Sequence, residues 1–343
     1  MAARSKRSTK IELYGREWIV DDESDASLLL IEKNCIKRGG KWTQDGKECG
    51  NGLFFHYKRF QQLVWPEYNH HRWSDLILRT ILEERITVIQ GPKDVGKTHC
   101  MARYGLADYF CFPDTTLILM SSTDVRGLEL RVWGEVKLLL SLAKERFPWL
   151  PGKPVDHLHG VFTDELGEDC VIRDMRKGII CIPCKGSGGE WKGLSNYAGI
   201  KQRRRRLLGD EVAFMEDPYM TSVEHMDKGD FKGGFAGNPL GSGDPLDRMG
   251  EPEAGWGTEP ESEKTETWRN KWGGITINFD GRDSPNNDDP KDSFPYLISN
   301  KDIERTEKRC GKDSMEYWTQ VIGKRKPGLW SNRVLTRQMC QNF

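Results

Sequence analysis

The chain has 343 residues, and its 52 Lys and Arg are balanced by 52 Asp and Glu, so the formal net charge is zero. Hydrophobic residues make up 36% of the sequence and aromatic residues 10%, which is enough apolar material for one large domain or two ordinary ones and excludes a disordered polyelectrolyte. No apolar run approaches the roughly 18 residues that a membrane span needs, and the basic start MAARSKRSTK does not continue as a signal peptide. These features predict a soluble intracellular protein without a membrane partner.

Strand-like and helix-like stretches alternate from residue 85 onward. The predicted strands are 85–90, 115–120, 178–182, 206–209 and 234–236, and the predicted helices are 98–109 and 125–146. This alternation predicts an α/β fold with a mainly parallel central sheet flanked by helices. Because ligands bind at the carboxyl ends of the strands in such sheets, functional motifs are expected directly after the strands.

Charge is unevenly distributed despite the neutral total. Residues 241–292 hold 13 acidic and 6 basic residues among many Gly and Pro, a composition that predicts loops. The first ten residues carry only basic charges, at Arg4, Lys6, Arg7 and Lys10, and this tail is interpreted either as a phosphate contact or as a solvated segment.

A complete GxxxxGK[ST] motif follows the predicted strand 85–90 and opens the predicted helix 98–109. It comprises Gly91, Pro92, Lys93, Asp94, Val95, Gly96, Lys97 and Thr98. Its glycines let backbone N–H groups face a phosphate, its lysine reaches the β- and γ-phosphates, and its threonine hydroxyl is a Mg²⁺ ligand. The motif in this context predicts an ATP site with Mg²⁺ as cofactor.

Two further predicted strands end in polar residues. Asp210 and Glu211 follow the run RLLG, where Asp210 is expected to hold Mg²⁺ and Glu211 to align the attacking water, the pairing of a hydrolase. The alternative is an ordinary acidic turn. Asn238 follows the next strand and is a candidate for coupling hydrolysis to the rest of the protein, although Gly-Asn-Pro is by itself only a turn.

Taken in order, GPKDVGKT, TTLILMSST, LLGDE and AGNP resemble the ATPase domain of the large terminase subunit of tailed double-stranded DNA phages. RVWGEV at 131–136 and YWTQVIGKRKPG at 317–328 resemble segments that this family carries after the second strand and in the linker behind the ATPase domain. The resemblance implies a P-loop ATPase of the additional-strand (ASCE) type, with catalytic roles for Glu211, for Lys97 and, at the position of a cis-acting finger, for Lys93. It also assigns Thr98 and Asp210 to Mg²⁺ and Asn238 to coupling.

The sequence departs from the family in the phosphate-binding loop. Many members place a cis-acting arginine where this chain has Lys93, which supplies charge without a planar fork. Such motors also use a basic residue from the neighbouring subunit shortly before the Asp-Glu strand, and Lys201, Arg203 and Arg204 are candidates for this trans-acting finger within a basic run that continues to Arg206. The open alternative is that these residues contact DNA phosphates or form a solvated strand edge.

The resemblance divides the chain into an N-terminal extension (1–54), a P-loop ATPase domain (55–295) and a linker segment (296–343) that would precede a nuclease. The acidic residues of 280–292 are interpreted as loop rather than as a nuclease metal centre, so no DNA cleavage is expected from this chain. For adenine, the family pattern of an aromatic residue or Gln before the first strand leaves five candidates. They are Phe60, Gln61, Gln62, Trp65 and His71, each of which is also compatible with core or surface.

Cys181 and Cys184 form the single closely spaced pair among nine cysteines. A zinc site would need a second pair, which Cys35 and Cys49 supply only through a long-range contact, so reduced thiols are the favoured interpretation.

The implied function is an ATP-hydrolysing motor subunit that pumps double-stranded DNA into a procapsid. Its expected partners are duplex DNA, the portal protein and procapsid, the small terminase subunit and further copies in a ring, expected to be a pentamer. The expected location is the host cytoplasm, transiently on the procapsid and not in the mature virion. The alternatives are a solitary helicase-like P-loop ATPase and a scaffold that binds ATP without hydrolysing it, against which Glu211 argues.

Overall fold

The computed structural model describes residues 9–13, 16–20, 43–44, 47–48, 52–163, 176–184, 192–241, 243–256, 264–288 and 294–324. The strands are β1 (Thr9–Leu13), β2 (Arg16–Val20), β3 (Thr43–Gln44), β4 (Lys47–Glu48), β5 (Ile86–Gln90), β6 (Thr116–Ser122), β7 (Lys153–Val155), β8 (Gly160–Phe162), β9 (Gly178–Pro183), β10 (Arg204–Gly209), β11 (Asp230–Gly237), β12 (Glu266–Arg269) and β13 (Ile275–Asn278). The α-helices of six or more residues are α1 (Gly52–Val64), α2 (Arg72–Glu83), α3 (Lys97–Cys111), α4 (Gly134–Arg146), α5 (Lys192–Ala198), α6 (Asp217–Met226), α7 (Pro245–Gly250) and α8 (Asn300–Cys310). No helix among these residues is long and apolar enough to cross a bilayer.

Nine strands form one sheet in the order β12-β13-β5-β11-β10-β6-β9-β8-β7, and β1-β2 and β3-β4 are separate antiparallel pairs. The five neighbouring pairs from β13 to β9 are parallel, and the three at the two edges are antiparallel. The predicted α/β class with a mainly parallel sheet is therefore confirmed. Strand β11 lies between β5 and β10, which is the additional strand that gives this P-loop type its name.

Hydrophobic residues cover both faces of the sheet. Along β6, Ile118 and Met120 contribute to one buried cluster, whereas Leu117 and Leu119 contribute to the other. Successive side chains of a strand point to opposite faces, so a strand buried on both sides reads as an unbroken apolar run. This explains why TTLILM is recognisable as a strand from the sequence.

Two strands begin earlier than predicted. Their first residues are charged, so hydrophobic patterning does not identify them as strand. β10 begins at Arg204 and β11 at Asp230, ahead of the predicted starts at residues 206 and 234. The buried Asp108 of α3 binds both Arg204 and Arg206, and Asp230 binds the same two arginines. Ion pairing thus makes burial of these residues tolerable, a contact that hydrophobic patterning does not reveal.

We expect Asp108→Asn to destabilise the fold by about 3–5 kcal/mol, because it leaves two partly or fully buried guanidinium groups without their buried carboxylate and with only the exposed Asp230 as an ionic partner. Burial alone would raise the pKa of Asp108, but Arg206 and Arg204 outweigh burial and hold it below its ordinary value. The ion pairs of Asp108 therefore contribute fully to stability above the ordinary aspartate pKa. This contribution is lost as pH falls through the lower pKa of Asp108 in the folded state. Urea unfolding at neutral and at acid pH measures both effects.

Asp114→Asn is the matched control, since its side chain is 78% exposed and its carboxylate lies 3.5 Å from Lys177 Nζ on the surface. Such pairs contribute at most about 1 kcal/mol. Equal losses for the two variants would contradict the role given to Asp108.

The composition of the acidic segment 241–292 predicted loops, but part of this segment forms strands. Ile275–Asn278 forms β13, which pairs in parallel with β5 beside the phosphate-binding loop, and Glu266–Arg269 pairs with it in turn. Ile277 and Thr276 are fully buried. Four residues are too few for a periodic pattern to stand out among the surrounding charges, so this strand depends on its sheet neighbour.

The segment assigned to a linker packs, through residue 324, against the same core as the rest of the sheet. Ile298 and Val321 belong to the larger buried cluster. The Ile298 N–H donates to the carbonyl of Asp94 in the phosphate-binding loop at 2.9 Å, and Asn278 Nδ2 donates to the carbonyl of Gly323 at 2.9 Å. The described part of this segment is therefore in direct contact with the loop, whereas 325–343 lie outside the described residues.

Candidate nucleotide site

The phosphate-binding loop joins β5 to the first turn of α3. Gly96 caps this helix in the left-handed region, with φ of 79°, a conformation that glycine adopts without steric penalty. Asp94 also has a positive φ of 58°. The loop therefore curls back on itself and presents the free N–H groups at the start of α3, an arrangement that binds anions.

Lys97, the lysine of the motif, is 9% exposed and points back into the loop. Its Nζ donates to the carbonyls of Gly91 at 3.2 Å and Pro92 at 2.6 Å and to Oδ1 of Asn238 at 3.1 Å. Burial lowers the pKa of Lys97 to about 8, opposed by the nearby acidic groups. The structure thus brings the predicted coupling residue Asn238 into contact with the phosphate-binding lysine.

Thr98 and Asp210 meet across the base of the site. Thr98 Oγ1 donates to Asp210 Oδ1 at 2.9 Å, and Asp210 is 4% exposed at the end of β10. The pKa of Asp210 is raised to about 6, first by burial and then by the negative charge of Glu211, while the Thr98 hydrogen bond opposes both. A hydroxyl and a carboxylate oxygen placed side by side fit Mg²⁺, which prefers oxygen ligands and completes its shell with water and phosphate.

Glu211 occupies a strained position directly after Asp210. Its backbone lies in the left-handed region, with φ of 56°, which is uncommon for a residue with a side chain. Arg131 Nη1 donates to Glu211 Oε1 at 2.9 Å, and the two side chains are 44% and 24% exposed. The carboxylate is therefore accessible from the site and is bound to a cation from a distant part of the chain.

These groups line a single cleft of about 600 Å³, a volume typical of small-ligand sites. The loop residues Lys93 to Thr98, Asp210, Glu211 and Asn238 all contribute to its wall. The structure therefore brings together most of the predicted nucleotide and metal residues. Gly91 and Pro92 lie behind this wall, where their carbonyls accept from Lys97.

The five candidates for adenine contact do not line this cleft. Phe60, Gln61, Trp65 and His71 are buried, and Gln62 is exposed. Trp65 Nε1 donates to the Leu139 carbonyl at 2.8 Å, and His71 caps α2. Their contacts are those of core and capping residues, the alternative that the sequence left open.

Aromatic side chains that sequence reasoning missed do line the cleft. The ring centroids of Tyr68 and His99 are 4.4 Å apart, and those of His99 and Tyr296 are 6.3 Å apart. His99 Nδ1 lies 2.6 Å from Glu135 Oε1, and Glu135 is also in the cleft wall. His99 follows Thr98 directly and Glu135 lies in the RVWGEV segment, so both carried a sequence signal. Tyr68 and Tyr296 carried none, because they come from distant segments.

The trans-finger candidates lie at the opposite end of β10 from Asp210. Arg204 contacts Asp108 and Asp230, and its guanidinium lies 3.7 Å from the ring centroid of Phe112. Lys201 and Arg203 are exposed just before the strand. Arg204 is six positions before Asp210, about 20 Å along the strand, and Lys201 and Arg203 precede it, so none of the three serves the cleft of its own chain. A role in a neighbouring subunit stays a prediction.

Cys181 and Cys184 are buried, and both are free thiols. Burial raises the pKa of each thiol, to about 12 for Cys184. Within the described ranges no group of three or more His, Cys, Asp or Glu residues is placed to hold a metal ion. Cys35 and Cys49, the suggested second pair, lie outside these ranges.

No protein-family model and no curated protein sequence matches this chain. Among solved structures, the large terminase ATPase domain of Thermus phage P74-26 is similar with 13% identity and a TM-score of 0.39, over 53% of this chain and 69% of that chain. The large terminase of a thermophilic bacteriophage in complex with ADP is similar with 15% identity and a TM-score of 0.46, over 74% of this chain and 53% of that chain. This chain thus spans about half of that terminase. Because the identities and TM-scores are low, the nucleotide site is assigned from the geometry of its own residues.

Proposed function

We propose that this chain binds and hydrolyses ATP in the cleft at the carboxyl ends of β5, β10 and β11. The observation that carries the proposal is the contact of Thr98 with Asp210, which sets the motif lysine, a pair of metal-binding oxygens and the Glu211 carboxylate around one cleft. If Asp210 and Glu211 formed only an ordinary acidic turn, we would not expect Asp210 to contact the phosphate-binding loop. The contact therefore favours the catalytic interpretation of Asp210 and Glu211.

Each residue has a definite task in this reaction. Lys97 and the N–H groups at the start of α3 would hold the phosphates, and Thr98 and Asp210 would hold Mg²⁺, which would neutralise phosphate charge. Glu211 orients the attacking water and accepts its proton as the new bond to the γ-phosphorus forms and the bond to the β–γ bridging oxygen breaks. The products are ADP and inorganic phosphate.

We propose further that hydrolysis drives double-stranded DNA into a procapsid, with the chain acting in a ring on the portal in the host cytoplasm. The support is the order of the four motifs and the position of Asn238, which contacts Lys97 at the end of β11. Asn238 follows β11, whereas the phosphate-binding loop follows β5. A movement of Lys97 on phosphate binding would therefore be passed through Asn238 to β11.

Phosphate release by the wild-type chain, alone and with duplex DNA, single-stranded DNA or procapsids, tests this proposal. A packaging motor is expected to be stimulated by duplex DNA and procapsids, through salt-sensitive contacts that do not depend on base sequence. Stimulation by single strands alone would favour the helicase-like ATPase. ATP binding without turnover under every condition would favour the scaffold.

We expect Asn238→Ala to retain ATP binding but to lose much of the stimulation by duplex DNA, because the contact between β11 and Lys97 is removed. The ratio of phosphate release with and without DNA measures this effect. Asn69→Ala is the control, since Asn69 is exposed outside the cleft wall and only its backbone carbonyl accepts from Tyr296. An unchanged ratio in Asn238→Ala would remove the coupling role.

A further inference from the structure

The catalytic candidate Glu211 is bound to Arg131, a residue 80 positions away that the four motifs do not include. The two side chains are joined by a 2.9 Å ion pair, and both line the cleft that contains Lys97 and Asp210. The Arg131 guanidinium therefore lies among the phosphate-binding groups and not on a remote surface.

The backbone around Arg131 is specialised. Arg131 lies in a π-helical segment, Leu128–Trp133, between the α-helical turn Val125–Gly127 and α4. Segments of π-helix inside α-helices are rare and occur frequently at functional sites. A π-helical turn contains more residues than an α-helical turn, which changes the direction in which its side chains point. In this segment the Arg131 side chain points to Glu211.

Gly127 and Gly134 flank this segment and make room for it. A Cβ atom on Gly127 would lie 2.8 Å from Arg131 Nη2, and one on Gly134 would lie 3.0 Å from the Glu129 carbonyl. The missing side chain at Gly127 thus leaves space for the guanidinium beside the helix.

The other extra cation of the cleft is Lys93, which is exposed in the phosphate-binding loop. Lysine has no planar fork with which to bind a phosphate through two parallel hydrogen bonds. Arg131 has this fork and lies next to the group that activates water.

We propose that Arg131 binds the terminal phosphate of ATP and that it exchanges partners to do so. Before ATP binds, Arg131 holds the Glu211 carboxylate. The triphosphate carries more negative charge than the carboxylate and attracts the guanidinium, which leaves Glu211 free to accept the proton of the attacking water. ADP has no γ-phosphate and leaves the ion pair intact. This inference rests on the proposed hydrolysis of ATP.

Equilibrium binding of ADP and of the β,γ-imido analogue of ATP, both with Mg²⁺, tests the exchange. Arg131→Ala should weaken binding of the analogue by about tenfold or more, the usual contribution of a charged hydrogen bond, and should leave ADP binding unchanged. Arg131→Lys should recover part of the loss. Arg126→Ala is the matched control, because Arg126 is exposed in the preceding turn and does not line the cleft.

The Arg131→Ala/Glu211→Gln double-mutant cycle measures the competition directly. Removing the Glu211 charge should strengthen binding of the analogue more when Arg131 is present, since Arg131 is then released, than when Arg131 is Ala. The ADP measurements should show no such difference. Equal losses for ADP and the analogue, or no loss in Arg131→Ala, would overturn the exchange.

Failure of the underlying ATPase proposal has a different signature. If the wild-type chain bound neither nucleotide, or bound both with no dependence on Lys97, the site itself would be misassigned. If binding depended on Lys97 but not on Arg131, the site would stand and only the role of Arg131 would be lost.

Discussion

Glu211→Gln is expected to lower kcat for ATP hydrolysis by about 10²–10⁴-fold while ATP binding is retained, because glutamine cannot accept the proton of the attacking water. The side chain keeps its size, and its amide oxygen still accepts a hydrogen bond from Arg131. Loss of turnover therefore reports the missing charge and base rather than a disturbed fold. Steady-state phosphate release and equilibrium ATP binding, measured on the same preparation, separate the two effects.

Glu216→Gln is the matched control for this variant, since Glu216 is an exposed glutamate five residues further on, ahead of α6. It should hydrolyse ATP at the wild-type rate. Normal turnover by Glu211→Gln would show that another group activates water and would remove the main support for a hydrolase.

Lys97→Ala is expected to weaken ATP binding by about 10²-fold and to abolish measurable turnover, because it removes a cation that is aimed into the phosphate-binding loop. The ammonium group is buried among three oxygen acceptors, on Gly91, Pro92 and Asn238. Burial lowers the pKa of Lys97 to about 8, yet the group stays largely protonated at neutral pH. Calorimetric titration with ATP and Mg²⁺ measures the loss.

Two controls make this result specific. Thermal unfolding without nucleotide measures whether Lys97→Ala is folded, so that a loss of ATP binding is not mistaken for a loss of structure. Lys137→Ala removes an exposed lysine of α4, whose Nζ lies 2.7 Å from Asp156 Oδ1, and should bind ATP normally. Wild-type affinity in Lys97→Ala would place the nucleotide elsewhere.

The effects of Glu211 and Lys97 are linked through the geometry of the cleft. Lys97 contacts Asn238 of the sheet, and Glu211 contacts Arg131 of the π-helical segment. Both charged groups are thus held by partners from other elements. A triphosphate entering the cleft competes for both cations at once, so ATP binding is expected to release Asn238 and Glu211 together.

The sequence by itself determined the parts of the site that depend on neighbours along the chain. The strand before Gly91, the curl of the loop and the start of α3 are local, because an apolar β-rich run, two glycines and a helix-opening Lys-Thr pair specify them within 15 residues. The runs that end at Asp210 and Asn238 were also recognisable, since strands buried on both faces are continuously apolar.

Only the tertiary structure decided what those residues meet. Strand β13, the charged first halves of β10 and β11, and the packing of residues 298–323 on the loop all depend on partners far away in the sequence. Hydrophobic patterning cannot detect such elements, because their burial is secured by ion pairs and sheet neighbours rather than by their own periodicity. The contact of Arg131 with Glu211 belongs to the same class: the sequence made Glu211 a catalytic candidate, but only the fold brings Arg131 to it.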